Sequence, residues 1–67
     1  MLMGTVIRFN KIKGYGFITP DAGGNEVFVH FSKIQLAGYK ELKEGQKVKY
    51  LIEEGPRGEF ASHVEII

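Results

Sequence analysis

The sequence predicts an all-β protein, a five-stranded antiparallel barrel, and three observations carry that prediction. Five short runs rich in Val, Ile, Phe and Tyr are separated by turn-forming residues. No segment has the pattern of a helix of ten or more residues. The chain has only 67 residues, so we expect one domain spanning 1–67. Closing its sheet into a barrel leaves the fewest open strand edges.

The five predicted strands follow one another at short intervals. They span residues 5–10, 15–19, 26–31, 46–53 and 60–66. Turn-forming residues at 11–14, 21–25 and 55–58 separate them. Between the third and fourth runs, Ser32 and Gln35 have capping-box spacing, which predicts one helical turn beginning at Ser32.

The third run is apolar on both faces. Alternation along a strand puts Val27, Val29 and Phe31 on one face, and Phe28 and His30 on the other. Helices normally cover both sides of such a strand, and this sequence predicts no helix long enough to do so. The β-branched valines suit a tight interior, so Phe28 and His30 are predicted to face outward.

The second run gives a matching answer. Ile18 suits the interior and Gly16 suits a bent strand, so Tyr15 and Phe17 are predicted to face outward. The glycines at 23–24 make the second and third runs antiparallel neighbours. One outer patch should then hold four rings, from Tyr15, Phe17, Phe28 and His30.

An exposed aromatic patch on so small a domain indicates a binding surface. Burying one Phe is worth about 1.5–3 kcal/mol, a large share of the roughly 5–15 kcal/mol that stabilises a domain. Arg8, Lys11, Lys13 and Arg57 surround the predicted patch. Rings within a cationic rim stack the bases of single-stranded nucleic acid and hold its phosphates. The alternative is a small β-barrel interaction module that docks a protein on the same rings.

Two motifs resemble those of a known family. The segment KGYGFI at 13–18 looks like a first RNP motif and VFVHF at 27–31 like a second. Together they resemble the bacterial cold-shock protein family, and the likeness spans nearly the whole chain. The resemblance implies an antiparallel OB-fold barrel, binding of single-stranded RNA and DNA, and an RNA chaperone function that keeps transcripts unpaired.

The resemblance also implies which residues bind the nucleic acid. Lys13 and Arg57 should contact the nucleic-acid backbone or the base edges. Alternation places Phe31 inside the barrel, but the family resemblance places it at the ligand surface. Arg8 stands where the family usually has Trp and Ile7 where it usually has Lys; Arg8 can still stack on a base. Glu59 and Phe60 replace a usual Pro and a polar residue. The stacking residues should be Tyr15, Phe17, Phe28, His30, Phe31 and Tyr39.

Other functions find little support in the sequence. Without Cys, and with His30 and His63 as its only histidines, the chain lacks the usual ligands of a zinc site. We expect no enzymatic activity, no metal and no cofactor. No apolar run is long enough for a membrane span and no signal peptide is visible, so we expect a cytoplasmic protein. We expect a monomer, with a domain-swapped dimer as the alternative.

A domain of the RNA-recognition-motif type uses similar aromatic motifs but needs two packing helices, for which this sequence has neither the length nor the pattern.

Overall fold

The five strands close into a barrel in the order β1-β2-β3-β5-β4. The computed structural model describes residues 1–34 and 42–67. No helix in these two segments is long and apolar enough to cross a membrane. The elements are Leu2–Asn10 (β1), Tyr15–Pro20 (β2), Val27–His30 (β3), a 3-10 helix at Phe31–Lys33, Lys47–Gly55 (β4) and Gly58–Ile66 (β5). The all-β class and the five predicted strands are confirmed, although β1 begins three residues earlier than predicted and β3 is shorter at both ends.

The prediction that all strands pair in antiparallel fashion is wrong for one pair of neighbouring strands. β3 and β5 pair in parallel, with Phe28 opposite Phe60 and Val29 opposite Ala61. The other four pairings, β1 with β2, β1 with β4, β2 with β3 and β4 with β5, are antiparallel. Strand direction alternates across each antiparallel pair, and a ring with an odd number of strands cannot alternate all the way round. A closed five-stranded barrel therefore contains at least one parallel pair.

Side-chain alternation fills the barrel interior as predicted for the strands that carry the aromatic residues. Ile18 and Val29 are fully buried and Val27 nearly so. On β4, Val48 and Tyr50 are fully buried and Ile52 is half-buried. The buried apolar residues form one cluster of Val6, Ile18, Val27, Val29, Ile34, Leu42, Val48, Tyr50, Ala61 and Val64.

The helical turn begins one residue before the predicted position. It starts at Phe31, and His30 is its N-cap. The predicted capping role of Ser32 is wrong, because the Ser32 backbone N–H donates to His30 Nδ1 at 3.3 Å instead. Gln35, the other half of the predicted capping box, lies outside the described residues.

Candidate nucleic-acid interface

The β2–β3 pairing brings the four predicted rings together. Tyr15 lies opposite His30, and Phe17 lies opposite Phe28. Tyr15 and Phe28 stack at 5.7 Å between ring centroids, and Phe17 meets Phe28 edge-on at 5.9 Å. Phe28 is 36% exposed, and the other three are half-buried. The predicted outward direction is confirmed, and we call these four side chains the aromatic face.

Phe31 extends the aromatic face beyond the end of β3. Its ring lies 4.6 Å from that of His30 and is 44% exposed. Alternation placed Phe31 inside; that prediction is wrong because β3 ends at His30 and the chain turns into the 3-10 helix. Phe31 N donates to Gly14 O at 2.8 Å. A Cβ at Gly14 would lie 2.6 Å from Phe31 Cδ1, so the absent side chain makes room for the ring.

A β-bulge in β1 turns Arg8 toward the aromatic face. Val6 pairs with Ile18 and Arg8 with Phe17, so β1 has one extra residue, Ile7, between these pairs. A bulge reverses the alternation that follows it, and Arg8 therefore faces outward beside Phe17. Gly16 permits the close approach, because a Cβ there would lie 2.3 Å from the Arg8 carbonyl oxygen.

The Arg8 guanidinium lies against one ring of the aromatic face. Its Cζ is 4.6 Å from the Phe17 ring centroid, a cation–π geometry. Its Nη2 also lies 3.0 Å from Glu26 Oε1. Because both side chains of this ion pair are about half exposed, water screens the pair and it contributes little to stability. Arg8 is therefore held near Phe17 by weak contacts that a ligand can displace.

Asn10 organises the turn that carries two of the predicted cations. Its Oδ1 accepts hydrogen bonds from the backbone N–H groups of Ile12 and Lys13, both at 3.0 Å. Its carbonyl oxygen accepts from Gly14 N at 2.8 Å. The predicted first hairpin turn is confirmed, with exposed lysines at 11 and 13. The role of Asn10 was not predicted, although an Asn at the end of a strand is a sequence signal for such a turn.

The His30 ring is oriented by the turn that follows it. Besides the Ser32 backbone N–H, the Ser32 hydroxyl oxygen lies 3.0 Å from His30 Nδ1. Because a backbone N–H donates to Nδ1, the neutral ring carries its proton on Nε2. A proton there can be donated to a phosphate oxygen or a base carbonyl.

Arg57 and one further ring lie beyond Phe28. An open groove of about 410 Å³ is lined by Phe28, by Phe60 and by the β4–β5 turn that contains Arg57. Phe60 was not predicted as a site residue. The sequence signal for its outward direction was its place on β5 before the small apolar Ala61, which the structure shows to be buried. Tyr39, the last predicted stacking residue, lies outside the described residues.

Metal chemistry finds no support in the part of the chain that the structure describes. No group of three or more His, Cys, Asp or Glu residues there could hold a metal ion. His63 lies next to Ser62 and Glu53, at 3.2 and 3.9 Å, and His30 belongs to the aromatic face.

The fold and the aromatic face define a class of protein, a small closed β-barrel that presents stacking rings on two adjacent strands beside exposed cations. A family model described as the 'Cold-shock' DNA-binding domain matches residues 2–67. The chain therefore belongs to the cold-shock domain family.

Relatives of similar length support this assignment. Cold shock protein CspV of Vibrio cholerae is 52% identical over 63 residues, which are 94% of this chain and 90% of CspV. A cold shock-like protein CspA of Bordetella pertussis is 49% identical over the full length of both chains. Among solved structures, drosophila Unr CSD456 matches with a TM-score of 0.81 at 17% identity, over 98% of this chain and 26% of that longer chain. This last likeness concerns the fold alone.

Proposed function

We propose that the protein binds single-stranded RNA or DNA by stacking bases on the aromatic face, and acts as an RNA chaperone. The observation that carries the proposal is the contiguous set of outward rings, Tyr15, Phe17, Phe28, His30 and Phe31, on one side of the barrel. Each base stacked on such a ring contributes about 1–3 kcal/mol, whatever its identity. The surface should therefore bind many sequences with modest preference.

The chaperone activity follows from selective binding to unpaired strands. A duplex hides the faces of its bases, so only an unpaired strand can stack on the rings. A protein that binds one of two states shifts the equilibrium toward that state by mass action. Saturating protein should thus hold RNA segments open without an energy source and without catalysis. Family membership supports a cytoplasmic address for this activity, with the chain working as a single domain over 1–67.

The cations supply phosphate contacts around the rings. Arg8 lies at the edge of the aromatic face, Lys13 precedes the glycine that supports Phe31, and Arg57 lies at the groove beyond Phe28. With roughly three to five phosphate contacts, the logarithm of the association constant should fall with log salt at a slope of about −2 to −4. A slope near zero would indicate purely apolar docking.

The experiment compares one labelled oligonucleotide with its own duplex. Fluorescence anisotropy should show binding to the single strand at least about tenfold tighter than to the duplex, and a hairpin with fluorophore and quencher at its ends should open as protein is added. Equal affinity for both forms would refute the stacking mechanism. No binding to either form would favour the alternative, a module that docks a protein on the same rings.

A further inference from the structure

We propose that Phe60 and Lys33 form an additional stacking subsite, so that the strand continues from β3 onto β5 across the parallel seam. This proposal rests on the proposed function, because its ligand is the same single strand. Phe60 lies opposite Phe28 in the parallel register, and the next pair, Val29 and Ala61, is fully buried. Since paired residues point to the same side of a sheet, Phe60 shares the outer side with Phe28.

The Phe60 ring packs against Gly55 and lines the groove beside Phe28. A Cβ at Gly55 would lie 3.1 Å from Phe60 Cε1, so the ring rests against this glycine. Gly55 pairs with Gly58 across the hairpin turn, and both glycines line the groove with Phe28 and Phe60. The groove of about 410 Å³ between the two Phe side chains and the β4–β5 turn has room for a planar base.

Cations accompany this ring as they accompany the rest of the aromatic face. Lys33 Nζ lies 5.4 Å from the Phe60 ring centroid, and Arg57 lines the groove. Glu59 lines the same groove and Glu53 pairs with Phe60 across the hairpin. The two carboxylates disfavour a phosphate beside them, so the backbone of the strand should pass close to Lys33 and Arg57, with the base turned toward Phe60.

The subsite compensates for a missing ring at the other end. The sequence has Arg8 where the family resemblance predicts Trp, and an aromatic residue at 60 where it predicts a polar one. The aromatic ring missing at position 8 on β1 is thereby matched by one gained at position 60 on β5. The bound strand should accordingly be shifted along the barrel.

The test uses the absence of Trp from the chain. In Phe60→Trp, the single indole reports on the subsite, and a saturating thymidine octamer should quench its emission. In Phe60→Gln, affinity for the same octamer should fall by between about fivefold and 150-fold, the equivalent of one stacked base. Lys33→Gln should reduce the salt slope by about 0.7.

Matched controls lie on β4, which pairs with β1 and β5 and not with β2 or β3. Leu51→Gln and Lys49→Gln change an apolar and a cationic side chain on β4, away from β2 and β3, and should leave affinity unchanged. Unquenched Phe60→Trp emission in a saturated complex, or unchanged affinity in folded Phe60→Gln, would overturn the subsite while leaving the proposed function intact. If the unaltered protein binds no octamer, the proposed function itself fails.

Discussion

Replacing Phe17 and Phe28 together by Ala should abolish tight binding to single strands. The two rings lie opposite each other at the middle of the aromatic face, 5.9 Å apart. If each stacks one base, their loss removes about 2–6 kcal/mol of binding free energy. This loss corresponds to an affinity reduced by roughly 30-fold to more than 10,000-fold.

The same double variant should remain folded. Both rings point away from the core, and their outward neighbours are chiefly other rings and Arg8. We expect a loss of about 1 kcal/mol for each, below the roughly 1.5–3 kcal/mol of a fully buried Phe. The control is Val29→Ala, which shortens a fully buried side chain on β3 next to Phe28 and should destabilise the barrel by about 2 kcal/mol while leaving the rings in place.

The assay combines thermal unfolding by circular dichroism with anisotropy titrations at 10 °C, where all three proteins should be folded. The double variant should lose binding and keep its fold, and Val29→Ala should lose thermal stability and keep binding. Retained binding in the double variant, together with a large fall in its melting temperature, would show that the rings are structural and that the argument from alternation is wrong.

Three further predictions concern single residues. Arg8→Trp should raise single-strand affinity about fivefold or more in anisotropy titrations, because an indole offers a larger flat surface beside Phe17; an unchanged affinity would mean that no base reaches this edge. Gly16→Ala should destabilise the fold by about 1–3 kcal/mol in denaturant titrations, since its Cβ would lie 2.3 Å from a backbone oxygen; a wild-type midpoint would contradict the bulge geometry. Burial, and then the negative charge of Asp21, raises the pKa of the Tyr50 hydroxyl. The contribution of this group to the free energy of unfolding is complete below the ordinary tyrosine pKa of about 10 and is lost as pH rises through the higher folded-state pKa, so melts at alkaline pH should show a decline in stability that Tyr50→Phe reduces.

Local patterns predicted the parts of the fold that depend on neighbouring residues. The antiparallel β2–β3 pair followed from its glycine turn, and the outward rings followed from alternation on strands whose valines and Ile18 suit the interior. The direction of Phe31 was predicted wrongly because alternation applies only within a strand, and β3 ends at His30. The family resemblance placed Phe31 correctly on the exposed side, since it compares whole motifs rather than single strands.

Features that depend on distant parts of the chain could not be predicted in this way. Nothing near Phe60 in the sequence indicates that it pairs with Phe28, because closing the barrel creates that contact. The bulge at Ile7 likewise comes from the fit of β1 against β2, and it decides that Arg8 faces Phe17. Alternation along one strand cannot show that this strand has one residue more than the strand it pairs with.

Alternation on β2 and β3 also separates the two tasks of these strands at the level of single side chains. Ile18 and Val29 belong to the interior, whereas their immediate neighbours Phe17 and Phe28 belong to the outer surface. Substitution of an outward-facing residue can therefore change ligand preference and affinity without repacking the core. A scaffold of this kind lends itself to laboratory selection of new ligand preferences, with randomised outer positions and an unchanged set of inward residues.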